Sequence, residues 1–340
     1  MSLHPDGMIR YAMQQWDIPL CVSRGQAFRW REWGGGWLGV DAERVMWFRP
    51  LADGVEYATL PEPGREDWIR CYFQLDVDLA EVHRAVLQAE PDLAPLVARF
   101  PGLRVLRWGS AEECLLSFLC SVNNNIPRIS GMIERLCTHL GSSLSLGAWS
   151  APYRDDGDRR TPLPPRGSSG ERGLRMRSDL PSPGPTTMPD LHAFPSAATI
   201  ADLPEEALRG LGFGYRARTL RSAARALCEK PVGWLESLSH RCYEEASREL
   251  QSLPGVGRKV ADCVCLFGLG FQRAAPVDTH LWQAMCERYF PEWRGLALTE
   301  RRYEAVTALL AERFGDLAGW AHQYLFYDRL LRRQAVPSAP

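Results

Sequence analysis

A short glycine-rich segment contains the residue types needed for covalent chemistry. Residues 253–263 read Leu-Pro-Gly-Val-Gly-Arg-Lys-Val-Ala-Asp-Cys, and apolar residues follow at helical spacing. If a helix begins after Gly257, Lys259 lies in its first turn, where the positive end of the helix dipole disfavours the ammonium form. A neutral amine is a nucleophile, so the segment predicts covalent chemistry by Lys259.

Lysine is rare in this chain, and its placement supports that prediction. The sequence contains two lysines, Lys230 and Lys259, and all other side chains of the Lys and Arg class are arginine. Arginine stays protonated in proteins whereas lysine can be titrated, so a nucleophilic role requires the lysine. The alternative interpretation is that Lys259 is a surface charge that contacts a phosphate.

The elements that position Lys259 can be predicted from the same segment. Pro254, Gly255 and Gly257 separate two helical patterns, which indicates a helix–hairpin–helix unit. Backbone N–H groups at such a hairpin suit a phosphate. Asp278 follows Lys259 by nineteen residues, within a Val-Asp-Thr-His sequence, and is predicted to cap the next helix.

These segments resemble the helix-hairpin-helix base-excision DNA glycosylases. They look most like the 8-oxoguanine glycosylases that are also abasic-site lyases, in which a hairpin, a lysine and a Pro-Val-Asp sequence occur at this spacing. The resemblance implies that Lys259 is the Schiff-base nucleophile and that Asp278 assists it. The exposed hairpin backbone at Gly255 and Gly257 is expected to bind one DNA phosphate, and His280, near a predicted helix start, another.

The resemblance extends to residues that would bind a flipped base. Gly25 begins a Gly-Gln-Ala-Phe-Arg-Trp segment, and its carbonyl would accept the N7 proton that only the oxidised purine carries. Cys263 and Phe326 would hold the base between them. His322 stands where the family usually has glutamine, and Gln323 lies about 100° farther round the helix, turned away from the base. The alternative for Gly25 is a structural turn glycine. The alternative for Phe326 and His322 is a stripe of core aromatic residues with a hydrogen-bonded buried histidine.

Two further segments are candidates for contact with the opposite strand. Three consecutive asparagines begin at Asn123, in an Asn-Asn-Asn-Ile-Pro-Arg sequence that ends at Arg128. The resemblance implies that Asn123 fills the gap left by the flipped nucleotide and that Arg128 contacts the unpaired cytosine. Tyr215 and Arg216 open an arginine-rich segment, and an aromatic residue followed by arginine suits intercalation and orphan-base contact. The alternative for the asparagine run is a plain turn between helices. The alternative for the arginine-rich segment is a solvated helix face.

The remaining patterns predict two folded regions. Residues 1–105 are expected to form an α+β domain with an antiparallel sheet, and the resemblance implies a TATA-binding-protein-like domain. Strands are predicted at 18–22, 25–31, 37–40 and 45–48, and helices at 66–73 and 79–90. Residues 106–145 and 190–333 are predicted to be mostly α-helical, beginning with a capping box at Ser110 and Glu113, and the resemblance implies that they form an HhH-GPD glycosylase core. Residues 146–189, rich in Pro, Gly, Ser and Arg, are predicted to be a disordered insertion.

Composition limits the other classes of protein. The formal net charge of −1 argues against DNA binding through bulk charge and permits local phosphate contacts. The ten cysteines are scattered and form no Cys-x-x-Cys pair, which disfavours zinc, iron–sulfur and disulfide frameworks. We expect an intracellular monomer, in the cytoplasm or nucleoid of a bacterium or the nucleus of a eukaryote, without membrane contact. The resemblance implies no required cofactor and leaves room for a structural monovalent cation at the hairpin.

The favoured hypothesis is a bifunctional glycosylase/lyase that excises 8-oxoguanine opposite cytosine from double-stranded DNA. One alternative is a glycosylase of the same fold for another damaged base. Another is a non-catalytic helix-hairpin-helix DNA-binding module, which would need neither Lys259 nor Asp278. A third, an iron–sulfur glycosylase, is disfavoured because the sequence has no terminal four-cysteine cluster.

Overall fold

The computed structural model describes residues 5–11, 14–144 and 189–335 of the chain. The insertion predicted at 146–189 lies outside these residues, apart from Pro189. The described residues form an antiparallel sheet with flanking helices, followed by a helical core, as the sequence predicts.

The N-terminal sheet has five antiparallel strands in the order β1-β5-β4-β3-β2. The strands are β1 (Gly7–Ile9), β2 (Trp30–Trp33), β3 (Gly36–Asp41), β4 (Arg44–Pro50) and β5 (Val55–Leu60). A two-residue turn joins β2 to β3, and its residues Gly34 and Gly35 have φ values of 59° and 72°. Glycine adopts this left-handed backbone without strain, and the turn matches the twist of the strands. The strands predicted at 37–40 and 45–48 are confirmed.

Two of the predicted strands are wrong or too long. Residues 18–22 form a helix, α1 (Ile18–Val22), because Asp17 accepts a hydrogen bond from the Leu20 N–H and Pro19 occupies the first turn. A short apolar run does not distinguish a strand from a buried helix, so the cap decides. The strand predicted at 25–31 begins only at Trp30, since Gly25 has a φ of 97° and leaves the extended region.

Helices form the rest of the described chain. Beside the sheet lie α2 (Glu66–Phe73), α3 (Leu79–Ala89) and α4 (Ala94–Arg99), of which the first two were predicted. The core contains α5 (Ala111–Leu119), α6 (Ile126–Leu140), α7 (Ala197–Asp202), α8 (Glu205–Leu208), α9 (Arg216–Cys228), α10 (Trp234–Ser237), α11 (Tyr243–Gln251), α12 (Arg258–Cys263), α13 (Thr279–Arg288), α14 (Glu300–Phe314) and α15 (Ala318–Ala335). A π-helical segment, Val264–Leu269, extends α12 and packs against α5.

A buried ion pair joins the sheet to the core. The Ser110 hydroxyl accepts a hydrogen bond from the Glu113 N–H and caps α5, as predicted. The second half of the predicted capping box is wrong, because the Glu113 carboxylate turns away from Ser110. It accepts hydrogen bonds from Arg29 at 3.0 Å and from the Ala42 N–H at 2.7 Å. Burial raises the pKa of Glu113, and the Arg29 guanidinium opposes that shift.

Three further observations apply to the described residues. None of their helices is long and apolar enough to cross a membrane. No cluster of three or more His, Cys, Asp or Glu side chains in the described ranges could hold a metal ion. All ten cysteines lie within these ranges and are free thiols.

Candidate active site

The predicted hairpin lies between α11 and α12, at residues 252–257. Gly255 has a φ of 75°, and an added Cβ would meet the Thr219 Cγ2 atom of α9 at 2.0 Å. Glycine is therefore required here by backbone conformation and by close approach. Gly257 has extended backbone and is the N-cap residue of α12. The helix–hairpin–helix architecture is confirmed, while phosphate contact at Gly255 and Gly257 stays a prediction.

Lys259 lies half-buried in the first turn of α12, as the sequence predicts. Its Nζ donates a hydrogen bond to the Ser121 Oγ at 2.7 Å and lies 5.3 Å from the centre of the Phe118 ring. Both partners belong to α5 and the turn that follows it. The amine also forms a hydrogen bond with the Cys263 side chain, and among the described residues no carboxylate forms an ion pair with it.

Asp278 caps the N-terminus of α13, and this prediction is confirmed. Its Oδ1 accepts a hydrogen bond from the Leu281 N–H at 2.8 Å. Asp278 and Lys259 line the same cavity, although nineteen residues separate them. The structure therefore brings a primary amine and a carboxylate to one site.

A buried hydrogen-bond network connects the segments that hold these two residues. Asp262, on α12, accepts hydrogen bonds from the Tyr303 hydroxyl at 2.6 Å and the Tyr243 hydroxyl at 2.8 Å. The Tyr303 hydroxyl in turn accepts one from the Val277 N–H at 3.1 Å, next to Asp278. Burial raises the pKa of Asp262 to about 6, and the tyrosine hydrogen bonds oppose the shift. The network fixes α12 relative to the start of α13.

The four residues predicted to bind a base line the cavity that contains Lys259 and Asp278. They are Gly25, Cys263, His322 and Phe326. The cavity volume is about 40 Å³, which is room for only a few water molecules. A larger cleft of about 740 Å³ lies beside α5, and none of the predicted site residues lines it.

A groove of about 420 Å³ adjoins this cavity. Gly25, Phe118, Lys259, Asp278 and Phe326 line both spaces. The groove continues along other residues of the α5–α6 turn and the start of α13, which include Ser121, Asn124, Asn125 and His280. The amine of Lys259 is thus reached from a surface groove that begins at the asparagine run.

Phe326 lies at the boundary between the cavity and the groove. Its ring stacks on the His322 imidazole at a centroid distance of 5.9 Å and an interplanar angle of 15°. The His280 ring meets it edge to face at 5.7 Å. Gly25 is close by, since a Cβ added there would lie 3.9 Å from Phe326 Cζ.

Cys263 is an uncharged wall of the cavity. Burial raises the pKa of its thiol to about 12, although nearby Lys259 acts in the opposite direction. The thiol is therefore protonated at neutral pH, and the thiolate needed for nucleophilic attack does not form. Its position, one helical turn after Lys259, places both side chains on one face of α12.

His322 is buried and uncharged at neutral pH. Burial lowers the pKa of its imidazole to about 4, while Asp278 and a hydrogen bond to the Pro276 carbonyl oppose that shift. Its Nδ1 lies 2.9 Å from the Gln323 Nε2. The expectation that Gln323 turns away from the base site is wrong: it lines the same cavity, because its long side chain reaches back to His322.

The asparagine run forms the turn between α5 and α6. Asn123 has a φ of 48° and is exposed, whereas the Asn124 amide donates to the Cys120 carbonyl. Asn125 caps α6 by accepting a hydrogen bond from the Arg128 N–H. The Arg128 side chain is exposed. Contact of Asn123 and Arg128 with DNA stays a prediction.

Tyr215 and Arg216 differ in exposure. Tyr215 is 58% exposed, whereas Arg216 is 4% exposed and stacks on it with a centroid distance of 4.4 Å. The Arg216 guanidinium donates hydrogen bonds to the backbone carbonyls of Val122 and Asn123. Arg216 thus supports the turn that presents Asn123, and its contact with an orphaned base stays a prediction.

Sequence reasoning did not identify Ser121, Phe118 or Gln26 as parts of the site. Ser121 and Phe118 contact the Lys259 amine, and Gln26 lines the cavity. Ser121 follows a buried apolar helix and carries no local signal of its role. Gln26 belongs to the Gly-Gln-Ala-Phe-Arg-Trp segment that carries the resemblance, and this was a usable signal.

Comparison with known proteins identifies the family. Residues 8–115 match the model of the 8-oxoguanine DNA glycosylase N-terminal domain. Residues 116–310 match the model of the HhH-GPD superfamily base excision DNA repair proteins.

Curated relatives agree with this assignment. The chain is 33% identical over 324 residues to N-glycosylase/DNA lyase OGG1 of Arabidopsis thaliana, covering 92% of this chain and 77% of that protein. It is 27% identical over 305 residues to an N-glycosylase/DNA lyase of Saccharomyces cerevisiae, covering 80% of this chain and 69% of that protein.

A solved structure shares the fold. It is the Clostridium acetobutylicum 8-oxoguanine glycosylase/lyase in complex with double-stranded DNA containing cytosine opposite 8-oxoG. The superposition has a TM-score of 0.70 at 24% identity and covers 98% of this chain and 100% of that chain. The chain therefore belongs to the HhH-GPD superfamily of base excision DNA repair proteins, within the family of the 8-oxoguanine N-glycosylase/DNA lyases.

Proposed function

We propose that this protein binds duplex DNA, excises 8-oxoguanine that lies opposite cytosine, and then cleaves the DNA strand. The observation that carries the proposal is the shared cavity of Lys259 and Asp278, which is lined by the predicted base-pocket residues. The amine held by Ser121 is the nucleophile of the reaction.

The reacting sugar must leave the duplex for this chemistry, because its C1′ atom is inaccessible in stacked DNA. The groove from the asparagine turn to Lys259 offers the path for the flipped nucleotide. A cavity of about 40 Å³ is too small for a purine. We therefore expect Phe326 to move as the base enters, so that the base occupies the space between Phe326 and Cys263.

Excision and strand cleavage follow as two linked steps. As the bond between C1′ and the purine N9 breaks, its electron pair leaves with the base, and the Asp278 carboxylate stabilises the cationic sugar. The Lys259 nitrogen bonds to C1′ through its lone pair and loses a proton. The C1′–O4′ bond then breaks, O4′ takes up a proton, and the product is an iminium ion. Removal of a C2′ proton then expels the 3′ phosphate oxygen by β-elimination.

The proposed reaction uses neither a metal ion nor a redox cofactor. A monovalent cation at the hairpin would have a structural role, near the backbone between Leu253 and Gly257. Trapping yields measured in EDTA, with and without added potassium, test both statements.

Borohydride trapping on defined duplexes tests the function. A covalent adduct on 8-oxoguanine opposite cytosine, in larger yield than opposite adenine, is the expected result. If only a plain abasic site gives an adduct, the protein is a lyase and its glycosylase activity acts on another damaged base. If neither duplex gives an adduct, the protein is a helix-hairpin-helix binding module.

A further inference from the structure

The Ser121 hydroxyl, which lies half-buried at the wall of the groove, forms two hydrogen bonds with different partners. Its Oγ accepts from the Lys259 Nζ at 2.7 Å and donates to the Phe118 carbonyl at 2.6 Å. The Ser121 N–H donates to the same carbonyl at 3.0 Å and fixes the turn. A hydroxyl has one proton and two lone pairs, and here the proton is directed at Phe118. Ser121 therefore meets the amine only as an acceptor.

This orientation leaves the lone pair of the Lys259 amine out of the serine contact. A neutral amine has two N–H groups and one lone pair, and one N–H is directed at Ser121. The other polar contact is the Cys263 thiol, which forms only weak hydrogen bonds. The same geometry argues against Ser121 as a nucleophile activated by Lys259, because the serine would then donate its proton to the amine.

We propose that Ser121 is a positioning residue that holds one N–H of Lys259 from the free amine to the iminium ion. After the nitrogen has bonded to C1′ and lost one proton, one N–H remains, and Ser121 accepts it. A hydrogen bond from a positively charged N–H is stronger than one from a neutral N–H. The contact therefore stabilises the developing iminium ion more than the free amine, which accelerates the attack. The inference rests on the lyase half of the proposed function.

An abasic site isolates this step from recognition of the base. The Lys259 lone pair adds to the C1′ aldehyde of the open sugar, and uptake of one proton with loss of water gives the same iminium ion. Borohydride reduces this ion to a stable adduct, so the rate of adduct formation reports the attack. The Phe118 carbonyl polarises the serine hydroxyl and strengthens it as an acceptor, so a side chain without the hydroxyl should slow this rate.

The test measures single-turnover adduct formation on an abasic duplex over a range of enzyme concentrations. At saturating enzyme, Ser121→Ala should react about tenfold more slowly than wild type. Its half-saturating concentration should stay within about twofold, because the acceptor acts on the reacting nitrogen and not on DNA binding. Ser121→Thr keeps the hydroxyl and should recover the rate to within about threefold of wild type. The matched control is Ser117→Ala, one turn earlier on α5, whose buried hydroxyl has no hydrogen-bond partner among the described residues.

The outcomes separate the inference from the function on which it rests. A Ser121→Ala rate equal to that of wild type, or a Ser121→Thr rate as low as that of Ser121→Ala, would overturn the inference. A loss in Ser121→Ala as complete as in Lys259→Gln would make the serine the nucleophile and would also overturn it. If wild type forms no adduct on the abasic duplex, the proposed lyase function is wrong, and this result precedes any variant.

Discussion

The cavity has two parts, which contain different kinds of hydrogen bonding. The lyase part consists of Lys259, Asp278 and Ser121, and the two reacting side chains are already bonded to Ser121 and the Leu281 N–H. The reading part consists of His322, Gln323 and Phe326, and the Gln323 Oε1 has no hydrogen-bond donor among the described residues. The side chains proposed for the chemistry are thus held by hydrogen bonds already, whereas a base that enters as proposed would change the contacts of the reading part. Variants of the two parts should therefore differ in how they change excision relative to abasic-site cleavage.

Lys259→Gln is expected to have the largest effect. It removes the nucleophile, so borohydride trapping and abasic cleavage should fall by more than about 10³-fold, as for other covalent nucleophiles. Binding to an 8-oxoguanine duplex, measured by titration, should persist. Adduct formation by the glutamine variant would show that another residue is the nucleophile.

Asp278→Asn should rank second. Asparagine is also a good N-cap residue, so α13 and DNA affinity should be retained. The loss of negative charge beside the developing cation should lower single-turnover excision by about 10²- to 10³-fold. An excision rate close to that of wild type would remove Asp278 from the mechanism.

Tyr303→Phe tests the link between the two segments of the lyase part. It removes a hydrogen bond to Asp262 and leaves the Val277 N–H without its acceptor. The free energy of unfolding should fall by about 1–3 kcal/mol, and both excision and abasic cleavage should slow several-fold. Tyr243→Phe is the matched control, because it removes a bond to Asp262 and does not touch Val277. Equal rates in the two variants would contradict a positioning role of Tyr303.

His322→Gln should have the smallest effect on activity. Glutamine offers an acceptor for the Gln323 amide, so 8-oxoguanine excision should stay within about threefold of wild type or improve. A collapse of excision would show that the imidazole has its own reading role.

The same variant should change the response to acid. Burial lowers the pKa of His322 to about 4, below its ordinary value of 6.5. Between these values the unfolded chain binds more protons at this site, so folding stability is lost as the pH falls from about 6.5 to 4. His322→Gln removes this loss, which is up to about 3 kcal/mol. Denaturant unfolding of both proteins at pH 7 and pH 4.5 measures the difference. If the free energy of unfolding falls equally in wild type and variant, a group other than His322 causes the loss.

The sequence predicted the lyase part better than the reading part, for a physical reason. Lys259 and Asp278 belong to compact motifs in which the hairpin glycines, a helix start and an N-cap all have local signatures. Ser121 and Gln323 obtain their roles from contacts between helices that are distant in sequence, and neither carries a local signal. The α1 segment was mistaken for a strand because its length and apolar content fit both structures. The sheet and the core helices were predictable from alternation, spacing and turn residues.

Helix α9 links two of the segments that are predicted to contact DNA, the turn that carries Asn123 and the hairpin. Arg216 in its first turn holds the backbone that presents Asn123, and Thr219, three residues later, lies against Gly255 of the hairpin. Less than one helical turn separates these two contacts. The first turn of α9 therefore fixes the distance between the turn that carries Asn123 and the hairpin. If Asn123 and the hairpin contact DNA as proposed, α9 would hold these two contacts at a constant distance from each other along the duplex.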